Sequence, residues 1–194
     1  MGSLVFDGAR HRYTLDGVRL PSVTELLRAS GLSGSMEWVT EHALDRGREV
    51  HKAIELYLRG ESDAYEFDPV VVPRLEAFRD WRETLGSRLE ILEIETPRAH
   101  ETLGFGGTPD LLAMLDGVRT VCEWKNGTEQ PANRLQAAAY ALLTGATGRV
   151  GVYLSDTARW KMVTWTDRQD AGIFQSALAL WHWREAHGLI QKEA

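Results

Sequence analysis

Apolar residues recur every three or four positions in several stretches of the chain, which is the spacing of one buried helical face. The predicted helices cover residues 36–58, 72–85, 131–144 and about 167–187. A shorter helix is predicted to begin near Ser22 or Thr24, because either hydroxyl can cap its first turn. Pro131 suits the first turn of its helix, and Gly188 suits the end of the last one.

Short stretches of alternating or continuous apolar residues predict strands elsewhere in the chain. They cover residues 11–15, 18–20, 89–97, 104–115, 118–125, 149–154 and 159–165. Asp16-Gly17 and Asp116-Gly117 are tight-turn pairs that join two strand pairs into hairpins. This order predicts an α/β fold: a central mixed sheet flanked by helices, preceded by an N-terminal hairpin and helices. We expect one domain spanning residues 1–194.

Composition narrows the functional classes only slightly. The net charge of −6 argues against a non-specific, basic nucleic-acid binder, but a metal-dependent nuclease needs carboxylates at its centre and only a local basic rim. The sequence shows neither a signal pattern nor a membrane-spanning apolar run, so we expect a cytoplasmic protein with no membrane partner. The single cysteine, Cys122, excludes an internal disulfide and an iron–sulfur cluster, and its position predicts a small buried strand residue.

The hairpin at residues 106–127 has largely apolar strands, yet its two arms carry Asp110, Glu123 and Lys125. If Asp110 begins one strand and Glu123 ends the next, the turn between them places the two carboxylates about 5 Å apart. Two carboxylates at that distance repel each other unless a cation lies between them. Oxygen ligands of this kind favour hard ions, so we predict one or two Mg²⁺ or Mn²⁺ ions here.

Lys125 lies two residues after Glu123 and therefore projects to the same face of the strand. An ammonium group beside a carboxylate–metal centre can hold a water molecule or stabilise charge that develops on a phosphate. The backbone carbonyl of Trp124, between the two, is a further candidate metal ligand.

The segments "GGTPD" and "EWK" resemble the motif of the PD-(D/E)XK nuclease superfamily. Three further segments resemble its RecB-like branch, to which phage and mitochondrial genome-maintenance exonucleases belong. "RGREVH" is similar to a helix motif whose histidine ligates metal, here His51. "QAAAY" is similar to a Q-x-x-x-Y helix, here Gln136 and Tyr140. "PSVTELL" is similar to a segment near the start of phage and mitochondrial-type members. The resemblance runs from about residue 11 to 185, with the motifs in the family's order.

This resemblance implies a restriction-endonuclease-like core and metal-dependent hydrolysis of DNA phosphodiesters that leaves 5′-phosphates. Asp110 and Glu123 would bind the metal, with His51 as a nitrogen ligand, and Lys125 would orient the attacking water. The remaining pair, Gln136 and Tyr140, would contact the DNA backbone or support the site.

The resemblance also has departures. CRISPR-type members carry a four-cysteine cluster, and helicase-linked members need a phosphate-binding G-x-x-x-x-G-K-[ST] loop; this chain has neither. A nuclease without a motor must use DNA ends or single strands made by others, or encircle DNA as a homo-oligomer; a recombination protein is another expected partner. We therefore predict an exonuclease acting on single strands or ends. The alternatives are a structure- or sequence-specific endonuclease on the same core and a catalytically inactive nucleic-acid-binding protein.

Several other residues have two interpretations. Glu95, on the preceding strand, is an extra candidate ligand, although strand edges often carry glutamate. Ser22 and Thr24 either cap a helix or contact phosphate. Among the seven tryptophans, three are candidates to border a DNA channel by stacking on bases: Trp38, Trp124 and Trp160. Four basic residues either form a positive rim or belong to a mixed-charge surface: Arg46, Arg48, Lys52 and Arg134.

Overall fold

A computed structural model describes residues 2–33 and 41–190 of the chain. The helices of this part are α1 (Val23–Ala29), α2 (Glu41–Arg59), α3 (Val72–Leu85), α4 (Pro131–Thr144) and α5 (Gln169–Ala186). The predicted residues 36–40 of the long helix, and with them Trp38, lie outside the described residues. No helix in these ranges is long and apolar enough to cross a membrane.

The strands form three sheets in the described part of the chain. They are β1 (Leu4–Asp7), β2 (Arg12–Leu15), β3 (Val18–Leu20), β4 (Leu89–Ile94), β5 (Arg98–His100), β6 (Phe105–Gly107), β7 (Leu111–Leu115), β8 (Val118–Asn126), β9 (Gly148–Leu154) and β10 (Trp160–Thr164). The central sheet has the order β10-β9-β8-β7-β4. Within it β8 and β9 run parallel, and the other neighbours are antiparallel. The predicted mixed sheet flanked by helices is confirmed.

Three strand predictions need correction. The pattern misses β1 and β5, which pair with β2 and β6 in small antiparallel sheets outside the central one. The predicted strand over residues 104–115 is two strands, β6 and β7, which belong to different sheets. Pro109 lies in the gap between them, and proline cannot donate a hydrogen bond to a sheet.

Alternate residues of β8 point into two separate hydrophobic cores. Cys122 and Trp124 are buried with α2 and α3 on one side of the central sheet, as expected for a small cysteine there. Val121 belongs to the core that α1, α4 and α5 form on the other side. Because side chains alternate along a strand, Glu123 and Lys125 point to the same side as Val121, towards α4.

Candidate active site

Asp110 and Glu123 lie opposite each other where β7 begins. The register pairs Leu111 with Cys122, and both central residues of the Asp116-Gly117 turn have positive φ, as the predicted tight turn requires. The backbone N–H of Asp110 donates to Glu123 Oε1 at 3.1 Å. The backbone N–H of Trp124 donates to Asp110 Oδ2 at 2.7 Å. The two acidic side chains are therefore held in place by backbone hydrogen bonds.

A row of hydrogen bonds leads from Glu123 across to α4. Lys125 Nζ lies 3.1 Å from Glu123 Oε2 and donates to Gln136 Oε1 at 2.9 Å. Gln136 Nε2 in turn donates to the Tyr140 hydroxyl at 3.2 Å, because residues four apart share one face of a helix. The structure thus brings together all four predicted residues of this row.

His51 approaches the same carboxylates from α2. Its Nδ1 atom lies 3.1 Å from Asp110 Oδ1 and 3.8 Å from Glu95 Oε1. The candidate ligand atoms of His51, Glu95 and Asp110 all lie within 4.8 Å of one another, and they form the one such group in residues 2–33 and 41–190. Glu95, a secondary candidate in the sequence, therefore belongs to the centre of this cluster.

Local backbone geometry carries Glu95 to this position. The pairing of β4 with β7 shifts register between Ile91 and Glu93, which changes the side-chain alternation of the strand. Glu95 itself has a φ of 45°, and its N–H donates to the carbonyl of Asp110 at 3.1 Å. A left-handed conformation is costly for glutamate and is often found at functional sites. Sequence alternation cannot reveal such a bulge, and the sole signal in the sequence is an acidic residue at the end of the strand before Asp110.

Burial and repulsion between carboxylates make the charged forms of the two glutamates in the site less stable. Burial, followed by the charge of Asp110, raises the pKa of Glu123 to about 8. Burial also raises the pKa of Glu95 to about 7, partly offset by its hydrogen bond to His51. For Asp110, burial opposes ionisation, but the charge and hydrogen bond of His51 outweigh it and lower the pKa.

The two basic groups of the cluster, His51 and Lys125, are kept protonated by the neighbouring carboxylates. Burial lowers the pKa of His51, but the charge and hydrogen bond of Asp110 outweigh it and raise the value to about 10. Burial likewise opposes the charge of Lys125, and Glu123 and Asp110 raise its pKa above the usual value. The buried Asp110 and Glu123 and the half-buried Glu95 thus crowd three carboxylates beside one imidazole. Such a donor set fits a hard divalent cation, which would take the place of the protons on these groups.

Trp124 needs one correction. Its side chain is 1% exposed and packs against Phe78 and Trp81, so it does not border a channel. The role of its backbone carbonyl as a metal ligand stays a prediction.

Ser22 and most of the basic residues, unlike Glu95, take up the less specialised of their two roles. Ser22 forms a capping box with Glu25 at the start of α1. Of the proposed basic rim, three members pair with neighbouring acids, as in a mixed-charge surface: Arg48 with Asp45, Lys52 with Glu55, and Arg134 with Asp170. A cavity of about 570 Å³ opens beside Gln136 and is also lined by Arg19, Arg28 and Trp181.

No protein-family model matches the sequence, and no match was found among curated proteins. Solved structures do match. The exonuclease LHK-Exo of Laribacter hongkongensis, in complex with dAMP, aligns at 14% identity over 88% of this chain and 89% of that chain, with a TM-score of 0.52. A second structure of that enzyme aligns at a TM-score of 0.43. A candidate exonuclease from Eubacterium rectale aligns at 10% identity over 86% of this chain and 74% of that chain, with a TM-score of 0.52.

The chain has the fold of these exonucleases. The restriction-endonuclease-like core that the sequence motifs imply is therefore confirmed. At identities this low, the match speaks for the fold, and the chemistry has to be argued from the side chains.

Proposed function

We propose that this protein is a divalent-metal-dependent DNA exonuclease that acts on ends or single strands and leaves 5′-phosphates. One observation carries the proposal: Asp110, Glu123 and Lys125 converge in one buried, hydrogen-bonded cluster with His51 and Glu95. A binding protein gains nothing from carboxylates that face phosphate, whereas a metal-dependent hydrolase needs them. The fold shared with exonucleases supports this choice.

In this proposal the acidic residues and His51 hold Mg²⁺ or Mn²⁺, one or two ions. When bound, the ion would supply positive charge that polarises the phosphate and lowers the pKa of a nearby water. The ligands would be Asp110, Glu123, His51 and Glu95, with the backbone carbonyl of Trp124 as a further candidate. His51 would have to be neutral to serve as a ligand, because only the neutral imidazole binds metal.

Lys125 has the central role among the residues that do not bind metal. Its ammonium group orients the attacking water and stabilises the negative charge on the phosphate in the transition state. Water oxygen forms the new bond to phosphorus and releases one proton, the bond to the 3′ oxygen breaks, and that oxygen takes up a proton. The products are a 3′-hydroxyl and a 5′-phosphate. Gln136 accepts a hydrogen bond from Lys125, and Tyr140 anchors Gln136, so α4 holds the lysine in place.

Digestion of end-labelled DNA tests this proposal. Single- and double-stranded substrates labelled at the 5′ or 3′ end are incubated with Mg²⁺, Mn²⁺ or a chelator, alongside the Lys125→Ala variant. We expect metal-dependent release of mononucleotides or short products from one end, lost with chelator and reduced about 100-fold or more in the variant.

Circular single-stranded DNA is the matching control. An exonuclease leaves it intact, whereas cleavage of the circle would assign an endonuclease on the same core. Absence of cleavage in every metal, with DNA binding retained, would identify an inactive binding protein.

A further inference from the structure

A second cavity lies at the carboxyl edge of the central sheet, next to the candidate active site. It has a volume of about 510 Å³, and its lining includes Tyr153 and residues 127–129. The parallel register pairs Tyr153 with Lys125, so the backbone at this wall of the cavity lies one strand, about 5 Å, from the backbone of the lysine. A DNA strand bound at the candidate active site would therefore pass near it.

The cavity contains a buried cation whose charge is poorly matched. Arg74, on α3, is 8% exposed, and its Nη1 atom donates to the backbone carbonyl of Val70 at 2.8 Å. Its Nε atom has no hydrogen-bond partner among the described residues. The nearest carboxylate oxygen, from Asp156, lies 4.0 Å from Nη2 and belongs to a side chain that is 75% exposed. A buried guanidinium without a close counter-ion is costly, and an anion in the cavity would offset that cost.

Two exposed cations add to the positive charge of the cavity, while its acids are held apart from them. Arg159 and Lys161 line the opening. Glu129 accepts a hydrogen bond from the indole of Trp165 and stays 3.9 Å from Lys161, which is too long for a hydrogen bond. Three cationic groups therefore surround the cavity against two acidic groups, which approach them no closer than 3.9 Å.

An aromatic ring lies in the same cavity wall. Trp160 lines the cavity, and its indole N–H donates to Asp80 at 2.7 Å, which fixes the orientation of the ring. Cations that contact phosphates beside an aromatic ring for bases are the usual elements of a single-strand binding groove. A carboxylate ligand or a free anion would make no use of the ring.

We propose that this cavity binds a second backbone phosphate of the DNA strand, beside the phosphate that is cut, with Arg74 as its inner contact and Arg159 and Lys161 as its outer contacts. This inference rests on the proposed nuclease function and adds a second substrate contact to it. Because phosphates are read without regard to base, the site strengthens binding to all sequences equally.

Binding can be measured separately from cleavage in the full chain carrying Lys125→Ala. Fluorescence anisotropy with a labelled single-stranded oligonucleotide gives Kd over a series of salt concentrations. Adding Arg159→Ala and Lys161→Ala should raise Kd about tenfold or more, and should reduce the slope of log K against log salt by about 0.7 for each cation that no longer meets a phosphate. Arg74→Gln should have the same effect, provided that its melting temperature shows a folded protein.

The matched control removes two exposed arginines elsewhere, with Arg88→Ala and Arg168→Ala in the same background. It loses the same charge and should keep both Kd and slope close to those of the parent. If the cavity variant behaves like this control, the proposal is wrong, whatever Arg74→Gln does. If the cavity variant binds weakly as expected but the protein with Lys125 intact cuts no DNA, the proposed function fails and the phosphate site stands. If the parent binds no DNA, both fail.

Discussion

Lys125 shows how individual residues are adjusted to one another in this site. A buried ammonium is costly alone, yet the charges of Glu123 and Asp110 raise its pKa and keep it charged, while Gln136 accepts a hydrogen bond from it. Its position on β8 follows from strand alternation, so its approach to Glu123 is predictable from "EWK" alone. The contact with Gln136 is different, because it depends on how α4 packs on the sheet.

Among single residues, we predict that Glu95 contributes to metal binding. Glu95→Gln keeps the size of the side chain but removes a carboxylate whose oxygen lies 3.8 Å from His51. We expect about a 10- to 100-fold higher Mn²⁺ concentration for half-maximal cleavage, with some activity recovered at saturating metal.

The matched control is Glu90→Gln, an exposed glutamate on β4, the strand that leads to Glu95. It should leave the metal requirement unchanged. Equal metal titrations for the two variants would remove Glu95 from the ligand set.

At the scale of elements, two glycines of β6 allow the small sheet to lie directly against its neighbours. A methyl group added at Gly107 would lie 2.6 Å from Tyr140 Cε1 and 3.0 Å from Val23 Cγ2. One at Gly106 would lie within 3 Å of the Tyr13 ring, whose hydroxyl bonds to Thr108 at 2.7 Å. These close approaches fix the loop that leads to Asp110 and the helix that carries Tyr140.

Gly107→Ala should therefore destabilise the protein by about 1–3 kcal/mol, because the added methyl group overlaps side chains packed in the core. Urea unfolding measures the change. Gly172→Ala on α5 is the matched control: nothing lies within 4 Å of its added methyl group, and alanine favours a helix interior by up to about 1 kcal/mol. Equal stability of the two variants would show that the packing against Tyr140 is not tight.

Sequence patterns predict those elements whose limits are set by their own residues. Helices α3 and α4 have their predicted limits, and the Asp116-Gly117 turn sets the register that brings Asp110 opposite Glu123. Elements that depend on distant partners escape such patterns. The strands β1 and β5 are too short to show a clear pattern, and they form by pairing with β2 and β6. Glu95 reaches His51 only through a bulge and a left-handed residue, which leave no mark on hydrophobic alternation.

For the whole molecule, the cluster links stability to pH. Glu95 and Glu123 have folded-state pKa values of about 7 and about 8, above the ordinary 4.5, so the folded state holds protons that the unfolded state releases. Their contribution is present below pH 4.5 and is lost as the pH rises to 8. His51, whose pKa rises from its ordinary 6.5 to about 10, acts in the same direction between those values. Asp110, with a lowered pKa, stabilises the fold above its ordinary value and loses this effect only in acid.

Without metal, the melting temperature should therefore fall as the pH rises from about 5 to 8. Mn²⁺ binds the deprotonated groups and stabilises the fold according to its concentration relative to Kd, so its benefit should grow over the same range. Melting curves with Mn²⁺ and with chelator, taken at several pH values, measure the gap between them. A gap that stays constant with pH would contradict the proposed exchange of protons for metal.

The cluster draws on parts of the chain from His51 to Tyr140, and only the sheet brings them together. A ribosome that has released the chain up to β8 has supplied the acids but not the helix that steadies Lys125. Under the proposed function, cleavage would therefore need α4 as well as the acids, so a chain that stops after β8 should cut no DNA.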